Sequence, residues 1–342
     1  MMLRVGINGM GRIGRLFLRA ALRSPDYGKS FQVAAFNDLF DTKSIAFLLK
    51  YDSVHGRLSG EVRFSESHVS VDGWEIRAFR EPDPSKIPWG EEEIDLVVEA
   101  TGRFTARSDA SKHLRDTVKK VLISAPSKDA DVTIVPGVND QALDLRKHDI
   151  ISAASCTTNC LAPMVKVLLD SFGLRKGFMT TVHAFTNDQR LLDLFHKDLR
   201  RARAATLSII PTTTGAAKAL HLVIPEVKGK MHGIALRVPV ADGSITDLVA
   251  LLEREVSVEE VKEAYRKAAE GEMKGILEYT EDPIVSADII GNPHSCIIDG
   301  ASITVLGERN DLVKVLGWYD NEWGYSNRLV DIVSRIAQEG TP

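Results

Sequence analysis

The glycine-rich segment near the start of the chain constrains its fold more than any other feature. Leu3–Ile7 is typical of a buried strand, and residues 12–22 carry apolar side chains at helical spacing. Between these two segments, Gly9, Gly11 and Gly14 form the pattern G-x-G-x-x-G. A turn of this kind lets the backbone approach a pyrophosphate, which the helix N-terminus stabilises. The segment therefore predicts a dinucleotide site, the alternative being a turn that only joins strand and helix tightly.

An acidic residue supports the dinucleotide interpretation. The next predicted strand, Phe31–Phe36, is followed by Asn37 and Asp38, and Asp38 lies 24 positions after Gly14. A carboxylate at about this distance accepts hydrogen bonds from the ribose 2′-hydroxyl of NAD and repels the 2′-phosphate of NADP. The pattern favours NAD as cofactor, although Asp38 alone is also compatible with a simple turn.

The first half of the chain alternates short apolar runs with helical patterns, which is typical of a doubly wound parallel sheet of the Rossmann type. Its further predicted strands are Ile94–Glu99, Val121–Ser124, Val132–Val135 and Asp149–Ala153.

The second half has longer strands and a few helices, which predicts an α+β domain with a mostly antiparallel sheet. Helices are expected at about Leu161–Phe172, at about Thr213–Ile224, and from the capping residue Ser257 to Gly271. The predicted strands are Phe178–Phe185, Ile234–Val240, Ile245–Leu252, Ser302–Leu306 and Leu312–Tyr319.

The predicted domains follow from this change of pattern. Residues 1–154 are expected to form an NAD-binding Rossmann domain, which a C-terminal helix within 323–342 completes. Residues 155–322 are expected to form the catalytic domain. The overall prediction is an α/β protein of two domains.

Composition and charge argue against several classes of protein. The 342 residues are 44% hydrophobic and 26% charged, and the net charge of −4 does not favour a general nucleic-acid binder. No apolar run is long enough to cross a membrane, and the N-terminus lacks the apolar region of a signal peptide. Three cysteines make a poor disulfide framework. We expect a cytoplasmic protein that needs neither a membrane nor a nucleic acid.

Cys156 is the candidate nucleophile. It lies between a predicted strand and the helix expected from Leu161, and a nearby helix N-terminus favours thiolate over thiol. The alternative is a small buried apolar residue, the usual environment of a free cysteine. We expect Cys160, one helical turn further on, to be buried. No other cysteine or histidine cluster has ligand spacing, so no metal site is expected.

His183 is the candidate base for this thiol. It lies near the end of a predicted strand and is followed by Thr186, Asn187 and Asp188, which suit a binding site. Next to Cys156 its imidazole would lower the pKa of the thiol and transfer protons. A lone histidine in a strand is more often structural, and the sequence does not show that the two residues meet.

With these residues in place, the chain resembles the glyceraldehyde-3-phosphate dehydrogenase family from Arg4 to about Arg335. The motifs occur in the family's order, and they are Gly6–Arg15 (GINGMGRIGR), Tyr51–Gly56 (YDSVHG), Ser155–Pro163 (SCTTNCLAP), Thr181–Gln189 (TVHAFTNDQ), Asp198–Ala204 (DLRRARA), Ile209–Lys218 (IIPTTTGAAK), Arg237–Pro239 (RVP) and Trp318–Ser326 (WYDNEWGYS).

The resemblance implies NAD-dependent oxidation of glyceraldehyde 3-phosphate to 1,3-bisphosphoglycerate with inorganic phosphate. Cys156 would form a thiohemiacetal and then a thioester, with His183 as acid and base. It also implies a homotetramer, in which an S-shaped loop at about residues 186–208 lies at a subunit interface beside a neighbouring cofactor.

The same resemblance assigns the binding residues. The substrate phosphate would contact Thr186, Asp188 and Arg237. The inorganic phosphate would contact Ser155, Thr157, Arg201, Thr214 and Gly215. The cofactor would contact Gly9, Gly11, Arg12, Ile13, Gly14, Asp38, Arg80, Thr101, Gly102, Ser124, Asn321 and Tyr325. Arg237 lies within a predicted strand, so its charge needs a bound anion or a carboxylate partner.

The chain departs from the family pattern at Phe195, where NAD-preferring members have proline after the leucine that corresponds to Leu194. Met10 and Phe185 also replace commoner aromatic residues, and we expect both changes to be mild. Two other functions remain open. Erythrose-4-phosphate dehydrogenase shares the catalytic pair, and a non-catalytic NAD-binding interaction protein would keep the fold alone.

Overall fold

The computed structural model of the chain describes residues 2–340 and divides into two compact units. The first contains the residues up to Ile134, Asp140–Ala154 and the residues from Ser326 onward, and the second contains Val135–Asn139 and Ser155–Tyr325. Met1, Thr341 and Pro342, which belong to the predicted first domain and its C-terminal helix, lie outside the described residues.

The first unit is a mixture of short helices and strands. Its strands are β1 (Leu3–Asn8), β2 (Phe31–Asn37), β3 (Tyr51–Asp52), β4 (Gly56–Arg57), β5 (Val62–Phe64), β6 (His68–Val71), β7 (Trp74–Phe79), β8 (Leu96–Glu99), β9 (Lys120–Ile123), β10 (Val132–Thr133) and β11 (Ile150–Ser152). Its helices are α1 (Arg12–Ala21), α2 (Thr42–Lys50) and α3 (Arg107–Ala110), together with most of a C-terminal helix (Trp323–Glu339).

Nine of these strands form one sheet in the order β10-β11-β9-β8-β1-β2-β7-β6-β5. The pairs from β10 to β7 are parallel, and β7, β6 and β5 pair antiparallel. The strand order reverses at β1, which lies between β2 and β8. In such sheets, ligands bind at the carboxyl ends of the strands where the order reverses. The predicted doubly wound parallel sheet is confirmed.

The second unit contains the longer strands. They are β12 (Leu174–Ala184), β13 (Ile210–Thr213), β14 (Met231–Val238), β15 (Ser244–Leu252), β16 (Leu277–Thr280), β17 (Cys296–Asp299), β18 (Thr304–Leu306) and β19 (Leu312–Tyr319). Its helices are α4 (Cys156–Phe172), α5 (Ala216–Ala219) and α6 (Val258–Glu270), and the C-terminal helix is α7.

These strands form a single sheet in the order β13-β14-β12-β15-β19-β17-β16, with β18 also paired to β19. Only β12–β14 and β16–β17 are parallel, so the sheet is mostly antiparallel, as predicted. Helix α4 packs against β15, β17 and β19. Along β15, buried residues alternate with half-buried ones, so one face of the sheet forms the core and the other is more exposed.

The structure corrects several predicted boundaries. Helix α4 begins at Cys156 instead of Leu161, because the Ser155 side chain accepts a hydrogen bond from Thr158 N–H and caps the helix there. The helix predicted at Thr213–Ile224 is broken, since β13 extends to Thr213 and only a short α5 followed by a 3₁₀ turn forms. The sequence prediction missed β3, β4, β5, β6, β7, β13, β16 and β17.

The prediction for the third helix of this unit is confirmed. Ser257 and Glu260 form a reciprocal capping box at the start of α6, and the helix ends at Gly271. Within residues 2–340, no helix combines the length and apolar character needed to cross a membrane.

Candidate functional site

The glycine turn between β1 and α1 has the close packing that its sequence predicts. Gly9 has φ of 96°, and a Cβ on Gly14 would lie 2.0 Å from the carbonyl oxygen of Gly9. Gly11 is exposed, and among the described residues no atom lies within 4 Å of the position of its Cβ. Gly9 and Gly14 therefore shape the turn, whereas Gly11 leaves open space above it.

A cavity of about 240 Å³ opens at the carboxyl ends of β1, β2 and β8. Four of the predicted cofactor residues line it, namely Gly9, Gly11, Asp38 and Thr101. One Asp38 carboxylate oxygen accepts a hydrogen bond of 2.6 Å from Met10 N–H, which ties the glycine turn to the end of β2. Asn8, Asn37, Arg103 and Phe104 also line the cavity and were not predicted.

A buried polar network holds the end of β8 beside this cavity. Glu99 accepts hydrogen bonds from Asn8 Nδ2 (2.6 Å) and Thr101 N–H (2.8 Å). Trp89 Nε1 can only donate, so at 3.1 Å His113 Nδ1 is the acceptor. The remaining proton of His113 is then on Nε2, which donates to Glu99 at 3.1 Å. The sequence analysis gave Glu99 no role. A carboxylate at the end of an apolar strand is the sequence signal that could have indicated this network.

The other predicted cofactor residues of the first unit are not among the residues that line the cavity. The Arg12 side chain forms an ion pair with Asp52 at 2.6 Å. Although burial opposes ionisation of Asp52, hydrogen bonds from His55 N–H and Arg12 lower its pKa to about 2. Arg80 donates to the carbonyl of Leu39 (2.7 Å). Ile13 is in the first turn of α1, Gly102 follows Thr101, and Ser124 follows β9.

We predict that Gly14→Ala lowers the stability of the protein, whereas Gly11→Ala retains stability and weakens dinucleotide binding. The methyl group added at position 14 would collide with the carbonyl of Gly9, so unfolding free energy should fall by about 1–3 kcal/mol or more. The methyl group added at position 11 meets no such obstacle, so stability should be retained while dinucleotide binding weakens. Denaturant unfolding and a dinucleotide titration measure the two effects. Equal destabilisation by both variants would contradict this account of the turn.

In the second unit, Cys156 is the first residue of α4, directly after its N-cap Ser155. Ala154, the residue before Ser155, is buried and has φ of 57°, a conformation that non-glycine residues rarely adopt. Backbone strain of this kind is common next to functional residues. Cys156 is partly exposed, whereas Cys160 and Cys296 are buried. The prediction that Cys160 is the buried member of the pair is confirmed.

The structure brings Cys156 and His183 together. His183 is near the end of β12, as expected, and its Nε2 lies 3.5 Å from Cys156 Sγ. The imidazole is 4% exposed, and its ring packs edge to face against Tyr319 with the centroids 6.0 Å apart. The sequence alone did not show that these two residues are neighbours.

The pKa shifts of the two groups favour an uncharged thiol and an uncharged imidazole in this arrangement. Burial raises the pKa of Cys156 to about 11, and the positive charge of Arg237 opposes this only in part. Burial, and next the charge of Arg237, lower the pKa of His183 to about 3. The helix N-terminus favours a thiolate, as expected, but desolvation of the thiol is the largest effect on its pKa in this arrangement.

Tyr319 fixes the floor of the site, and the sequence prediction did not assign it a role. Its hydroxyl forms hydrogen bonds with Thr157 Oγ1 (2.9 Å) and Thr181 Oγ1 (2.8 Å). Burial raises the pKa of Tyr319, so the hydroxyl stays neutral. Thr157 was predicted to contact inorganic phosphate, but its side chain is buried and bonded to Tyr319.

Arg237 on β14 reaches the same imidazole from the other side. Its Nη1 lies 2.6 Å from His183 Nδ1 and 3.0 Å from the carbonyl oxygen of Ala184. Burial lowers the pKa of the guanidinium. Within residues 2–340, no carboxylate forms an ion pair with Arg237. The carboxylate partner that the sequence analysis considered is therefore not found among these residues.

A second predicted arginine, Arg201, contacts one of the other predicted anion-binding residues, Asp188. Arg201 forms an ion pair with Asp188, and its Nε and Nη2 donate to Thr212 Oγ1 (3.0 and 2.9 Å). Arg201, predicted to bind the inorganic phosphate, thus contacts Asp188, predicted to bind the substrate phosphate. Thr212 was not predicted.

Four more of these residues are partly or fully exposed. The Thr214 hydroxyl accepts from Ala216 N–H (3.2 Å), and Gly215 is exposed at the start of α5. Thr186 N–H donates to Gln189 Oε1 at 3.3 Å. Ser155 Oγ is used as the cap of α4.

Asn321 and Tyr325, predicted to contact the nicotinamide, are both buried in the second unit. Asn321 Oδ1 accepts from Ser244 Oγ (2.6 Å), which in turn accepts from Ala184 N–H (3.1 Å). This chain of hydrogen bonds connects Asn321 to the residue after His183. Ser244 was missed because an isolated serine at the start of a strand carries no sequence signal.

The segment 186–208 contains no helix or strand, and several of its apolar side chains point outward. Internal contacts hold it, including the Arg203–Asp193 ion pair (2.8 Å). Leu194 and Phe195 are 60% and 93% exposed, so Phe195 packs against little of its own chain. Of the other departures from the family pattern, Met10 is buried and Phe185 half-buried.

Comparison with known families identifies both parts of the chain. Residues 155–321 match the domain described as "Glyceraldehyde 3-phosphate dehydrogenase, C-terminal domain". Residues 3–107 match "Glyceraldehyde 3-phosphate dehydrogenase, NAD binding domain".

Full-length relatives agree with this result. The chain is 59% identical to glyceraldehyde-3-phosphate dehydrogenase 2 of Streptomyces avermitilis over 339 residues, which cover 99% of this chain and 100% of the relative. It is 58% identical to the glyceraldehyde-3-phosphate dehydrogenase of Geobacillus stearothermophilus with the same coverage of both chains. For glyceraldehyde-3-phosphate dehydrogenase 1 of Bacillus subtilis the identity is 55%, again over 99% and 100%.

The predicted resemblance and the prediction of NAD as cofactor are thereby confirmed. The chain belongs to the glyceraldehyde-3-phosphate dehydrogenase family.

Proposed function

We propose that this chain oxidises D-glyceraldehyde 3-phosphate to 1,3-bisphosphoglycerate with NAD and inorganic phosphate. The observation that carries the proposal is the 3.5 Å contact between Cys156 Sγ and His183 Nε2 at the start of a helix. Beside this pair is the half-buried cation Arg237, which lacks a carboxylate partner within the described residues. A nucleophile, a base and an anion site are the groups that a phosphorylated aldehyde requires.

The first unit supplies the NAD site in this proposal, and the second supplies catalysis. The residues fit the cofactor, because a Cβ at Gly14 would collide with the carbonyl of Gly9, a Cβ at Gly9 would collide with Thr101, and the space above Gly11 is open. The Asp38 carboxylate lines the cavity, where it suits a ribose hydroxyl and opposes a 2′-phosphate. Asn321 is held by Ser244 in an orientation that leaves its amide nitrogen for the nicotinamide carboxamide.

The chemistry on Cys156 proceeds in two stages. The thiolate attacks the aldehyde carbon to give a thiohemiacetal, and His183 takes up the hydroxyl proton as the thioester forms. NAD, when bound, accepts the hydride. Inorganic phosphate then attacks the thioester carbonyl, and Cys156 leaves as thiolate while 1,3-bisphosphoglycerate is released. Covalent capture conserves the energy of the oxidation in the thioester.

Two arginines provide for the two phosphates. Arg237 is assigned to the substrate phosphate together with Thr186 and Asp188. Arg201 is assigned to inorganic phosphate with Ser155, Thr157, Thr214 and Gly215. Guanidinium groups suit this role because they bind phosphate oxygens through two parallel hydrogen bonds. The contact between Arg201 and Asp188 supports a shared anion pocket in which both arginines change partners when phosphates bind.

We also propose a cytoplasmic homotetramer. Large apolar side chains are exposed on the segment 186–208 and beside it, namely Leu191, Leu192, Leu194, Phe195, Leu199, Leu207 and Ile209. Phe178 and Ile234 are exposed on the outer face of the second sheet. Contiguous exposed apolar surface of this kind is typical of subunit interfaces.

Steady-state kinetics test the proposed function. Purified protein is mixed with glyceraldehyde 3-phosphate and NAD, and NADH formation is followed with and without inorganic phosphate. We expect sustained turnover with phosphate and a single turnover per site without it, since the thioester then stays on Cys156. NADP should be the poorer cofactor because Asp38 opposes its 2′-phosphate.

Three outcomes would contradict the proposal in different ways. Sustained turnover without phosphate would show a non-phosphorylating enzyme. Activity only with erythrose 4-phosphate would identify that sugar phosphate as the substrate. NAD binding without turnover on either aldehyde would indicate a non-catalytic binding protein.

A further inference from the structure

Three buried polar side chains lie side by side at the carboxyl ends of three neighbouring parallel strands. Glu99 ends β8, Asn8 ends β1 and Asn37 ends β2. The strand register pairs Asn8 with each of the other two. This row is at the point where the strand order of the sheet reverses, and Asn8 and Asn37 line the cavity there. Buried polar groups need hydrogen-bond partners, and in this row the partners also set the direction of each bond.

The backbone after β7 fixes one end of the row. Glu81 N–H donates to Asn37 Oδ1 (2.8 Å), and the Glu81 carbonyl accepts from Asn37 Nδ2 (2.9 Å). A backbone N–H cannot accept and a carbonyl cannot donate, so the Asn37 amide has one orientation. Its Nδ2 also donates to Asn8 Oδ1 (2.9 Å), which leaves Asn8 Nδ2 to donate to Glu99 (2.6 Å).

An indole and an imidazole fix the other end. Trp89 Nε1 can only donate to His113 Nδ1 (3.1 Å), so the proton of the neutral imidazole is on Nε2, which donates to Glu99 (3.1 Å). Thr101 adds its N–H (2.8 Å) and its hydroxyl as further donors. Within the described part of the chain, Glu99 thus accepts four hydrogen bonds. Because all four groups donate, this position requires acceptors on both oxygens, and a carboxylate provides them.

We propose that Glu99 is a positioning residue of the dinucleotide site. Its carboxylate holds Asn8, Asn37 and Thr101 in one arrangement at the wall of the cavity, although Glu99 itself is not among the residues that line it. A cofactor that enters then meets polar groups that are already oriented, and its affinity is not reduced by the cost of ordering them. This inference rests on the NAD site of the proposed function and adds a residue to it.

The variant Glu99→Gln tests this role, because it keeps the shape of the side chain and replaces one acceptor by a donor. With its amide nitrogen toward Asn8, the glutamine faces the donors of Asn8 and His113. With the amide reversed, the nitrogen faces the N–H of Thr101. Either orientation sets a donor against a donor. We expect the Kd for NAD to rise by about tenfold or more, the scale of one unsatisfied buried group, in a calorimetric titration.

The matched control is Asp95→Asn, the same chemical change at the opposite end of β8. Asp95 directly precedes this strand, and its Oδ2 accepts from Arg4 N–H (2.9 Å) near the start of β1. The amino ends of the two strands are remote from the cavity at their carboxyl ends. We expect Asp95→Asn to lose stability in denaturant unfolding and to keep the wild-type Kd for NAD.

Two variants of His113 test the same network if Glu99→Gln does not fold. In His113→Gln, the amide oxygen can accept from Trp89 and the amide nitrogen can donate to Glu99, so we expect the wild-type Kd for NAD. In His113→Leu both hydrogen bonds are lost, and the Kd should rise. Equal affinities of these two variants for NAD would overturn the proposal, since the hydrogen bonds of His113 would then have no effect on the site.

Steady-state kinetics separate positioning from a loss of folded protein. If Glu99 positions the site, the KM for NAD rises in Glu99→Gln while kcat at saturating NAD stays close to that of the wild type. A fall in kcat with unchanged KM and Kd would mean that Glu99 only supports the fold, and would overturn the proposal. An equal rise in the Kd of Asp95→Asn would overturn it as well. If the wild type bound NAD without oxidising the aldehyde, and Glu99→Gln alone bound NAD more weakly, the proposed function would fail and this inference would stand.

Discussion

Replacing Cys156 by serine is expected to abolish sustained NADH formation, with a loss in kcat of about 10⁴-fold or more. Cys156 is the only described cysteine that combines partial exposure with an imidazole nitrogen within 3.5 Å of its sulfur. A serine hydroxyl is a far weaker nucleophile than a thiolate and forms an ester instead of a thioester. Rapid mixing without phosphate should also show no initial release of NADH.

The matched control is Cys160→Ser, one helical turn away. Cys160 is buried, and its sulfur contacts Met164 Sδ at 3.9 Å and the Gly317 carbonyl at 3.6 Å, so its role is packing. We expect this variant to retain most of its activity at some cost in stability. A similar loss of activity in both variants, with a common loss of stability, would mean that α4 had been disrupted. Full activity of Cys156→Ser would exclude Cys156 as the nucleophile.

The second large effect is expected from His183→Gln, which should lower kcat by about 10²–10⁴-fold. The glutamine amide can occupy the position of Nε2 beside Cys156, but it cannot take up a proton. The reaction should then depend on thiolate formed without a base, so activity should rise with pH toward the high pKa of the buried thiol. The pH profiles of kcat and of iodoacetamide alkylation measure this change.

A suitable control is His221→Gln. His221 is half-buried, and its Nδ1 contacts the carbonyl of Lys218, away from every proposed site residue. We expect its pH profile to match that of the wild type. If His183→Gln retained both the rate and the pH profile of the wild type, His183 would not be the base. If it lowered KM and kcat together without changing the pH profile, its role would be structural.

The sequence determined the architecture of the first unit through short-range patterns. The glycines at 9, 11 and 14 allow one geometry of strand, turn and helix, and Asp38 follows at the distance that the next strand requires. Apolar runs predicted the parallel strands because strands buried on both faces have few polar positions. The hairpin strands β5 and β6 lacked this signal, since β5 is largely exposed and β6 alternates half-buried polar with buried apolar residues.

The sequence also selected Cys156 and His183 as the reacting pair, but only their environment in the fold decided their protonation. The dipole at a helix N-terminus can be predicted from sequence, whereas desolvation depends on segments far apart in the chain. In this structure desolvation is the larger effect, and it raises the pKa of the Cys156 thiol. For the same reason, the sequence did not predict that Tyr319 binds the hydroxyl of Thr157.

The contact between Arg237 and His183 was also decided only by the tertiary structure, since the two residues are 54 positions apart in the chain. The family resemblance assigned Arg237 to a site, and the polar residues after His183 indicated that this histidine belongs to one. Only the parallel pairing of β12 with β14 sets His183 directly beside Arg237, at register positions that no local pattern specifies. Residue types are local properties, whereas the protonation state of an imidazole depends on which donor the fold brings to it.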